Sequence, residues 1–427
     1  MKQIAASRSA WLVALGLGGL VALGIALWAV LASGGSMAAL GGQPTVATAT
    51  EEPAAGLSSQ MPAGVPGVSA ERVLFGQSAA FSGPASELGL NMRLGIQAAF
   101  QEANVTGGVH GRLLELTTLD DAYEPEAAVT NTKQLIEQEN VFALIGAVGT
   151  PTSRSAVPVA VEANTPYLAP FTGAGFLRGE DLHDVVINLR ASYNQETEAM
   201  VDHLTKDLGI TRIALLYQDD SYGRAGYNGV QAALERRGMS LAAVGVYPRN
   251  TTAVKTALLD LREGQPEAVI MVGAYEPVAA LVEWSRHLGF IPVFMTISFV
   301  GSNALAQELG PEGAGVFVTQ VVPFPTDTSL PVVEAYHRAL AAFDPDAVPG
   351  FVSFEGYLAG RLTILGLERC GPDLSRDCFL NSLRSAEEID GFKLRFDNAD
   401  NQGSDAVFLT VIGADGRYRA VTSLSSM

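Results

Sequence analysis

Hydroxyl side chains and glycines are concentrated in two short loops of this sequence, each directly after an apolar run. Residues 149–153 (GTPTS) follow the apolar run 141–145, and residues 170–173 (PFTG) follow the run 167–169. A threonine hydroxyl and the free N–H groups at a helix start can hold a carboxylate or carbonyl oxygen. Because no phosphate-binding fingerprint follows these runs, we expect the loops to bind a small ligand other than a nucleotide. Alternatively, Thr150 and Ser153 simply cap the helix that follows.

Two pairs of neighbouring aspartates could in principle act as catalytic acids and bases. These pairs, Asp120-Asp121 and Asp219-Asp220, each lie just before a predicted helix, where aspartate commonly caps the first turn. The body of the chain contains no serine-hydrolase elbow, no P-loop and no metalloprotease motif, and its five histidines lack metal-ligand spacing. The sequence therefore predicts no catalytic residue, no metal site and no cofactor.

Strand–loop–helix units repeat from Arg72 onward and place these loops. Predicted strands at residues 73–77, 112–119 and 141–145 alternate with helices, and the pattern restarts at a strand over 213–217. Such alternation is typical of a parallel sheet covered on both faces, and ligands bind at the carboxyl ends of its strands. One sheet of more than ten strands would be unusual. We therefore predict an α/β fold with two doubly wound parallel sheets and the ligand between them.

The composition is that of an exported globular protein. The net charge of −18 disfavours nucleic acid and anionic lipid as partners. Residues 11–32 carry no charge and follow Lys2 and Arg8, which fits either an uncleaved membrane anchor or a cleaved signal peptide. Residues 33–71 are rich in Gly, Ala, Pro, Ser and Thr, which predicts a flexible linker. We expect the body in the periplasm or on the outer face of the cell membrane.

The two cysteines of the chain, Cys370 and Cys378, are only eight residues apart. In an exported protein an isolated close pair of this kind favours a disulfide. Two thiolates without a nearby histidine are too few for a structural zinc site. We therefore predict a disulfide that joins the end of one helix to the start of the next.

Several short motifs occur along the chain in the same order as in a known protein family. They are residues 81–84 (FSGP), the aspartates 120–121, the loop 150–153, Pro170, residues 219–223 (DDSYG) and residues 273–277 (GAYEP). Nearly all of residues 72–427 resembles the type I periplasmic binding proteins of ABC transporters, specifically the branched-chain amino acid group. Turn formers, prolines or paired polar residues break the strand–helix pattern near residues 190–192, 321–325 and 398–403, where we expect the chain to cross between the two sheets. The resemblance implies two lobes joined by three such hinge crossovers. It places residues 72–191 and 322–400 in one lobe, and 192–321 and 401–427 in the other.

The resemblance also implies which residues contact the ligand. Contacts to the ligand backbone fall on Thr150, Phe171 and Gly173, while Leu88 is expected to line an apolar pocket. Tyr222 and Tyr275 match aromatic positions that cover the ligand. The candidate ligand-binding set is completed by Ser82, Gly149, Thr172, Ser298 and Phe299. The implied partners are a small-molecule ligand and an ABC permease in the inner membrane, and the protein is expected to be a monomer.

One position departs from the family pattern. Amino-acid binders of this group place an acidic residue after the strand at 293–295 to hold the ligand's ammonium, and this chain has Ser298 there. A desolvated ammonium without a carboxylate would lack its strongest partner. We therefore expect an organic acid, amide or mostly apolar ligand rather than a standard branched-chain amino acid. The alternative is that Glu276 replaces the missing acid. An alternative function is a membrane-tethered receptor domain of the same fold that acts with a separate signalling partner.

Overall fold

The computed structural model describes residues 64–396 and 400–425. The first of its two main sheets has five parallel strands in the order β2-β1-β3-β4-β5. Its first strand is buried along almost its whole length, as expected for a sheet covered on both faces. The strands are β1 (Arg72–Ala79), β2 (Leu113–Asp120), β3 (Ala143–Ile145), β4 (Tyr167–Leu168) and β5 (Val186–Ile187), and the helices between them are α1 (Ser86–Asn104), α2 (Pro125–Glu137) and α3 (Thr150–Glu162).

The second sheet contains seven strands, in the order β14-β13-β10-β9-β8-β6-β7. Helices alternate with its parallel strands, and β8 is buried throughout. Its strands are β6 (Ile213–Gln218), β7 (Val244–Tyr247), β8 (Ala268–Val272), β9 (Val293–Thr296), β10 (Phe317–Gln320), β13 (Phe408–Ile412) and β14 (Tyr418–Val421). The helices are α4 (Tyr193–Leu208), α5 (Ser221–Glu235), α6 (Lys255–Glu263), α7 (Tyr275–His287) and α8 (Ser302–Leu309).

Three later helices return to the first sheet. They are α9 (Pro331–Phe343), α10 (Phe351–Cys370) and α11 (Arg376–Arg384), and a small hairpin of β11 (Glu388–Ile389) and β12 (Phe392–Lys393) follows them. Helix α10 packs directly against α1. A Cβ at Gly95 of α1 would lie only 1.9 Å from the Ser353 carbonyl oxygen of α10, so the two helix backbones are in contact at this glycine. Cys370 at the end of α10 is disulfide-bonded to Cys378 in α11. We call the first sheet with α1–α3 and α9–α11 the first lobe, and the second sheet with α4–α8 the second lobe.

The chain passes between the two sheets three times: after β5, after β10 and after β12. The first and third passages run side by side, since the Asn188 N–H donates to the Asn401 carbonyl over 2.7 Å and the Gly403 N–H donates to the Asn188 carbonyl. The predicted passage at 398–403 falls partly outside the described residues. The predicted lobe boundaries at 191/192, 321/322 and 400/401 stay a prediction.

The α/β fold with parallel sheets is confirmed, but the second sheet also has an antiparallel edge. β13 pairs antiparallel with β10, and β14 pairs antiparallel with β13. No described helix stands between β13 and β14, and a tight turn with Gly416 at φ 73° reverses the chain between them. The strand β14 was not predicted from the sequence.

The predicted N-terminal features lie mostly outside the described residues. This applies to the apolar segment 11–32 and to most of the linker 33–71. Residues 64–71 are ordered against β1, where the Leu74 N–H donates to the Gly67 carbonyl and Val68 bridges Val73, so the body begins before Arg72. Within the described ranges, no helix combines the length and apolar character that crossing a membrane requires.

Candidate functional site

The two hydroxyl-rich loops meet in the first lobe at the carboxyl ends of β3 and β4. Val148 bridges Phe171, and the Thr150 and Thr172 hydroxyls are hydrogen-bonded to each other over 2.7 Å. Both threonines are fully buried. The fold thus brings the Thr150 and Thr172 hydroxyls of the two loops together at one polar position, as the strand-end positions predict.

The capping role considered for Thr150 and Ser153 is wrong. The residue that precedes α3 is Gly149, at φ 107°, and no side chain caps this helix. The Thr150 hydroxyl bonds Thr172 instead, and the Ser153 hydroxyl accepts from the Tyr167 hydroxyl. The glycine is required here, because a Cβ at position 149 would lie 2.2 Å from Cε2 of Tyr123.

Gly173 packs against the start of the second lobe's first helix. The Tyr193 N–H donates to the Gly173 carbonyl over 2.7 Å, and a Cβ at Gly173 would collide with the Tyr193 ring at 2.6 Å. The Tyr193 hydroxyl lies beside both Thr150 and Thr172. It is fully buried.

In the second lobe an aspartate positions the first aromatic residue. The Asp220 carboxylate accepts from the N–H groups of Tyr222 and Gly223 and so caps α5, as predicted. The Tyr222 side chain is fully buried, and its hydroxyl donates to the Gly273 carbonyl over 3.3 Å. Burial raises the pKa of Tyr222 well above its ordinary value, so the hydroxyl stays protonated and remains a donor.

Phe299 joins the aromatic residues of both lobes. Its ring centroid is 4.5 Å from that of Tyr222 in the second lobe, 5.4 Å from Phe171 and 6.0 Å from Tyr123 in the first. All four rings are essentially buried, and their centroid distances lie within the range of aromatic pair contacts. The lobes therefore meet through a continuous aromatic cluster, which we call the aromatic cluster of Tyr123, Phe171, Tyr222 and Phe299.

Leu88 and Tyr275 lie together at a second point of contact between the lobes. A Cβ at Gly301, which has φ 80°, would lie 2.4 Å from a methyl group of Leu88 and 3.6 Å from the Tyr275 ring. Tyr275 also lies beside Ser86 at the start of α1. Both predicted residues are thus buried across the lobe interface.

Ser82 is placed apart from the buried candidates. Its side chain is exposed, and its hydroxyl donates to Asp120 over 2.5 Å. Asp120 also accepts from the N–H groups of Phe81 and Ala122, so it orders the loop after β1 instead of capping α2. Glu124 precedes α2, without a side-chain cap. The capping role predicted for the 120–121 pair is therefore wrong for α2.

Next to the aromatic cluster lies a group of buried charges that the sequence reasoning missed. Arg190 lies over the Phe171 ring at 4.5 Å, donates from Nη2 to the Ser298 hydroxyl, and has Nε 3.4 Å from Oε1 of Glu355. Glu196 accepts from the Ser298 N–H at 2.8 Å and the Ser298 hydroxyl at 3.0 Å. We call Arg190, Glu196, Ser298 and Glu355 the ion cluster; no more than 5% of any member's surface is exposed.

This cluster overturns one premise of the sequence analysis. Ser298 was expected to leave the ligand region without a buried carboxylate, but Glu196 from α4 and Glu355 from α10 supply two. Their sequence signals are weak: Glu196 lies just after the predicted crossing at 190–192, and Glu355 is the single charge in the apolar first half of α10. An isolated charge in such a run indicates a buried ion pair.

The electrostatics of the ion cluster are set by burial. Burial raises the pKa of Glu355 to about 7 although Arg190 opposes the shift, and burial likewise raises the pKa of Glu196. For Arg190 burial acts to lower the pKa, but the carboxylates of Glu355 and Glu196 outweigh it and raise the pKa. The guanidinium therefore stays charged, and both carboxylates interact with it electrostatically.

The comparison with known families decides the identity of the fold. A family model described as a periplasmic binding protein matches residues 72–417, which is most of the chain. The chain belongs to the periplasmic binding protein family. This membership implies an extracytoplasmic location for the body.

Known relatives of this periplasmic binding protein agree with that assignment. A solved structure of a possible leucine/isoleucine/valine-binding protein from Rhodopirellula baltica SH 1 is 40% identical, covers 86% of this chain and 99% of its own, and has a TM-score of 0.79. The Leu/Ile/Val-binding protein homolog 7 of Brucella suis biovar 1 (strain 1330) is 26% identical over 50% of this chain. The match covers 55% of that relative, so the chain spans about half of its length.

A more distant neighbour shares the fold alone. The fatty acid ABC transporter substrate-binding protein from Thermomonospora curvata is 21% identical, covers 83% of this chain and 92% of its own, and has a TM-score of 0.74. Within the described part of this binding protein, no group of three or more His, Cys, Asp or Glu side chains is placed to hold a metal ion.

Proposed function

We propose that this periplasmic binding protein captures a small organic solute between its two lobes and delivers it to an ABC importer. The observation that carries the proposal is the meeting of both lobes at one buried place. The first lobe contributes the paired hydroxyls of Thr150 and Thr172, and the second contributes Tyr222 and Phe299. A solute that contacts both lobes binds the closed form better than the open form, and so shifts the population toward closure.

The candidate contact residues supply a small polar point inside a large apolar surface. Thr150, Thr172 and the nearby N–H groups suit a carboxylate or carbonyl oxygen. Leu88, Phe171 and Tyr275 suit the apolar remainder, since buried aromatic and aliphatic side chains dominate small-molecule sites. We therefore propose an organic acid, amide or mostly apolar solute, and weak or no binding of leucine, isoleucine and valine.

The named relatives support a transport role, but their names point to different solutes: leucine, isoleucine and valine for two of them and fatty acid for the third. A fatty acid ABC transporter substrate-binding protein shares the fold, so the scaffold serves ABC transport and accommodates a solute other than an amino acid. The receptor alternative rests on the apolar segment 11–32, which lies outside the described residues. Catalysis plays no part in this proposal, because Asp120 and Asp220 are occupied as loop and helix acceptors.

Mass spectrometry of the solute that co-purifies with the full chain tests this proposal. The extracted compound is then titrated into protein that has been unfolded, stripped and refolded, with leucine, isoleucine and valine as comparisons. We expect an acid, amide or apolar compound that binds at micromolar or lower Kd. Micromolar or tighter binding of a branched-chain amino acid would overturn the proposed ligand class.

A further inference from the structure

The ion cluster is placed where it touches the proposed ligand-binding residues. Arg190 lies against Phe171 and donates to Ser298, both of which belong to the candidate set. Its ion-pair partner Glu355 comes from α10 in the first lobe, while Glu196 from α4 in the second lobe is linked to Arg190 through the Ser298 hydroxyl. The cluster is thus part of the lobe interface and part of the ligand region.

The surroundings of Arg190 are those of a cation subsite. The Glu355 carboxylate, the Ser298 hydroxyl and the Phe171 face contact the guanidinium, and the Glu196 carboxylate lies next to them through its bond from Ser298. These are the groups that bind ammonium and guanidinium ions. Glu196 is further held by the Thr319 hydroxyl at 2.6 Å, so its carboxylate is fixed before any cation arrives. The cation present in this subsite belongs to the protein itself.

One buried donor in the subsite is left without a hydrogen-bond partner among the described residues. It is Nη1 of Arg190. A buried donor without an acceptor is costly, so such groups point to an acceptor supplied by a ligand. This donor lies beside a predicted contact residue, since Arg190 covers Phe171.

We infer that Arg190 is a specificity-determining residue: it fills the cation subsite of the ligand region and thereby selects a solute with an oxygen acceptor and no amine cation. This inference rests on the proposed function, because it assumes that a solute binds between the lobes. A ligand ammonium that reached Ser298 and Glu196 would lie next to the buried guanidinium of Arg190, and like charges repel strongly in a buried site.

Chemical rescue tests the cation subsite without any solute. In Arg190→Ala/Glu355→Gln the cation is removed, one carboxylate is neutralised, and Glu196 remains. We expect millimolar methylammonium to raise the unfolding temperature of this variant by about 2–4 °C, whereas tetramethylammonium, which has no N–H donor, does not. The wild type and the control Arg190→Ala/Glu355→Gln/Glu196→Gln should not respond. Equal responses in all three proteins would overturn the cation subsite.

Matched ligand pairs test the selectivity. Calorimetry compares 4-methylpentanoate with leucine, and 3-phenylpropanoate with phenylalanine, since each pair differs only in the amine. The wild type should prefer the acid of a pair at least about tenfold, and the double variant should prefer the amine. A wild type that prefers the amine, or a preference unchanged in the variant, would overturn the inference. If rescue succeeds while neither pair nor the co-purified compound binds the wild type, the proposed function fails and the subsite stands.

Discussion

The strand-end loops of the first lobe and the ion cluster between the lobes build their polar groups in opposite ways. The loops use neutral hydroxyls and backbone groups, and Thr150 and Thr172 satisfy each other locally. The ion cluster uses full charges from distant parts of the chain, with Arg190 and Ser298 separated by 108 positions. The polar groups of the loops are therefore satisfied without a ligand, whereas each buried charge of the ion cluster needs its partners to offset its desolvation cost.

This difference makes the ion cluster the more fragile region. Arg190, Glu196 and Glu355 are almost completely removed from water. Removing one member leaves another buried without full compensation, whereas a lost hydroxyl in the loops forfeits one neutral hydrogen bond. Four predictions test this comparison.

The largest effect is expected from Glu196→Ala. The change removes the acceptor of the Ser298 N–H and of the Thr319 hydroxyl and deprives Arg190 of a counter-charge. We expect a loss of about 3–5 kcal/mol in the free energy of unfolding, measured by urea denaturation. The control Arg72→Ala breaks an exposed ion pair with Glu115 and should cost at most about 1 kcal/mol. Equal losses would remove the distinction between buried and exposed charges.

The pH dependence of stability should reveal Glu355. Its pKa is raised to about 7 in the folded protein, so between about pH 4.5 and 7 the folded chain keeps a proton that the unfolded chain releases. This residue therefore makes stability fall as pH rises through that window. Relative to wild type, Glu355→Gln should gain about 3 kcal/mol from pH 4.5 to above pH 7. Urea titrations at several pH values measure it, and a difference that does not change with pH would contradict a raised pKa.

Added side-chain volume in the loops should lower the free energy of unfolding, although the loops carry no buried charge. Gly149→Ala forces a Cβ into the Tyr123 ring at a positive φ and should cost about 2–3 kcal/mol in thermal or urea unfolding. The matched control is Gly209→Ala, which has φ 66° but no atom within 4 Å of the added Cβ, so only about 1 kcal/mol is expected. If both variants lose the same free energy of unfolding, the close approach of Tyr123 does not contribute to the cost of Gly149→Ala.

The smallest effect is expected at the threonine pair. Thr172→Val removes the hydroxyl that bonds Thr150 and should cost about 1 kcal/mol, while Thr172→Ser keeps the hydroxyl and should cost less. Urea denaturation of the two variants supplies the comparison. A loss from Thr172→Val as large as that from Glu196→Ala would mean that the loops are as dependent on their polar groups as the ion cluster.

The same difference explains what could be predicted from the sequence. Thr150 and Phe171 directly follow apolar runs, so local pattern was enough to place them at strand ends. Tyr222 was identified differently, through the resemblance to the family and its match to an aromatic position there. Long-range assembly left no such local signal, because nothing near Glu355 in the chain indicates that it meets Arg190 in space. The antiparallel edge strand β14 was missed for a related reason, since a short half-exposed run lacks a clear period.

Small-angle X-ray scattering of the ligand-stripped full chain, with and without its co-purified solute, tests the central claim most directly. Thr150 and Phe171 from one lobe and Tyr222 and Phe299 from the other can enclose a solute only when the lobes are closed. We predict a smaller radius of gyration at saturating solute. An unchanged scattering profile at saturation would contradict capture of the solute between the lobes.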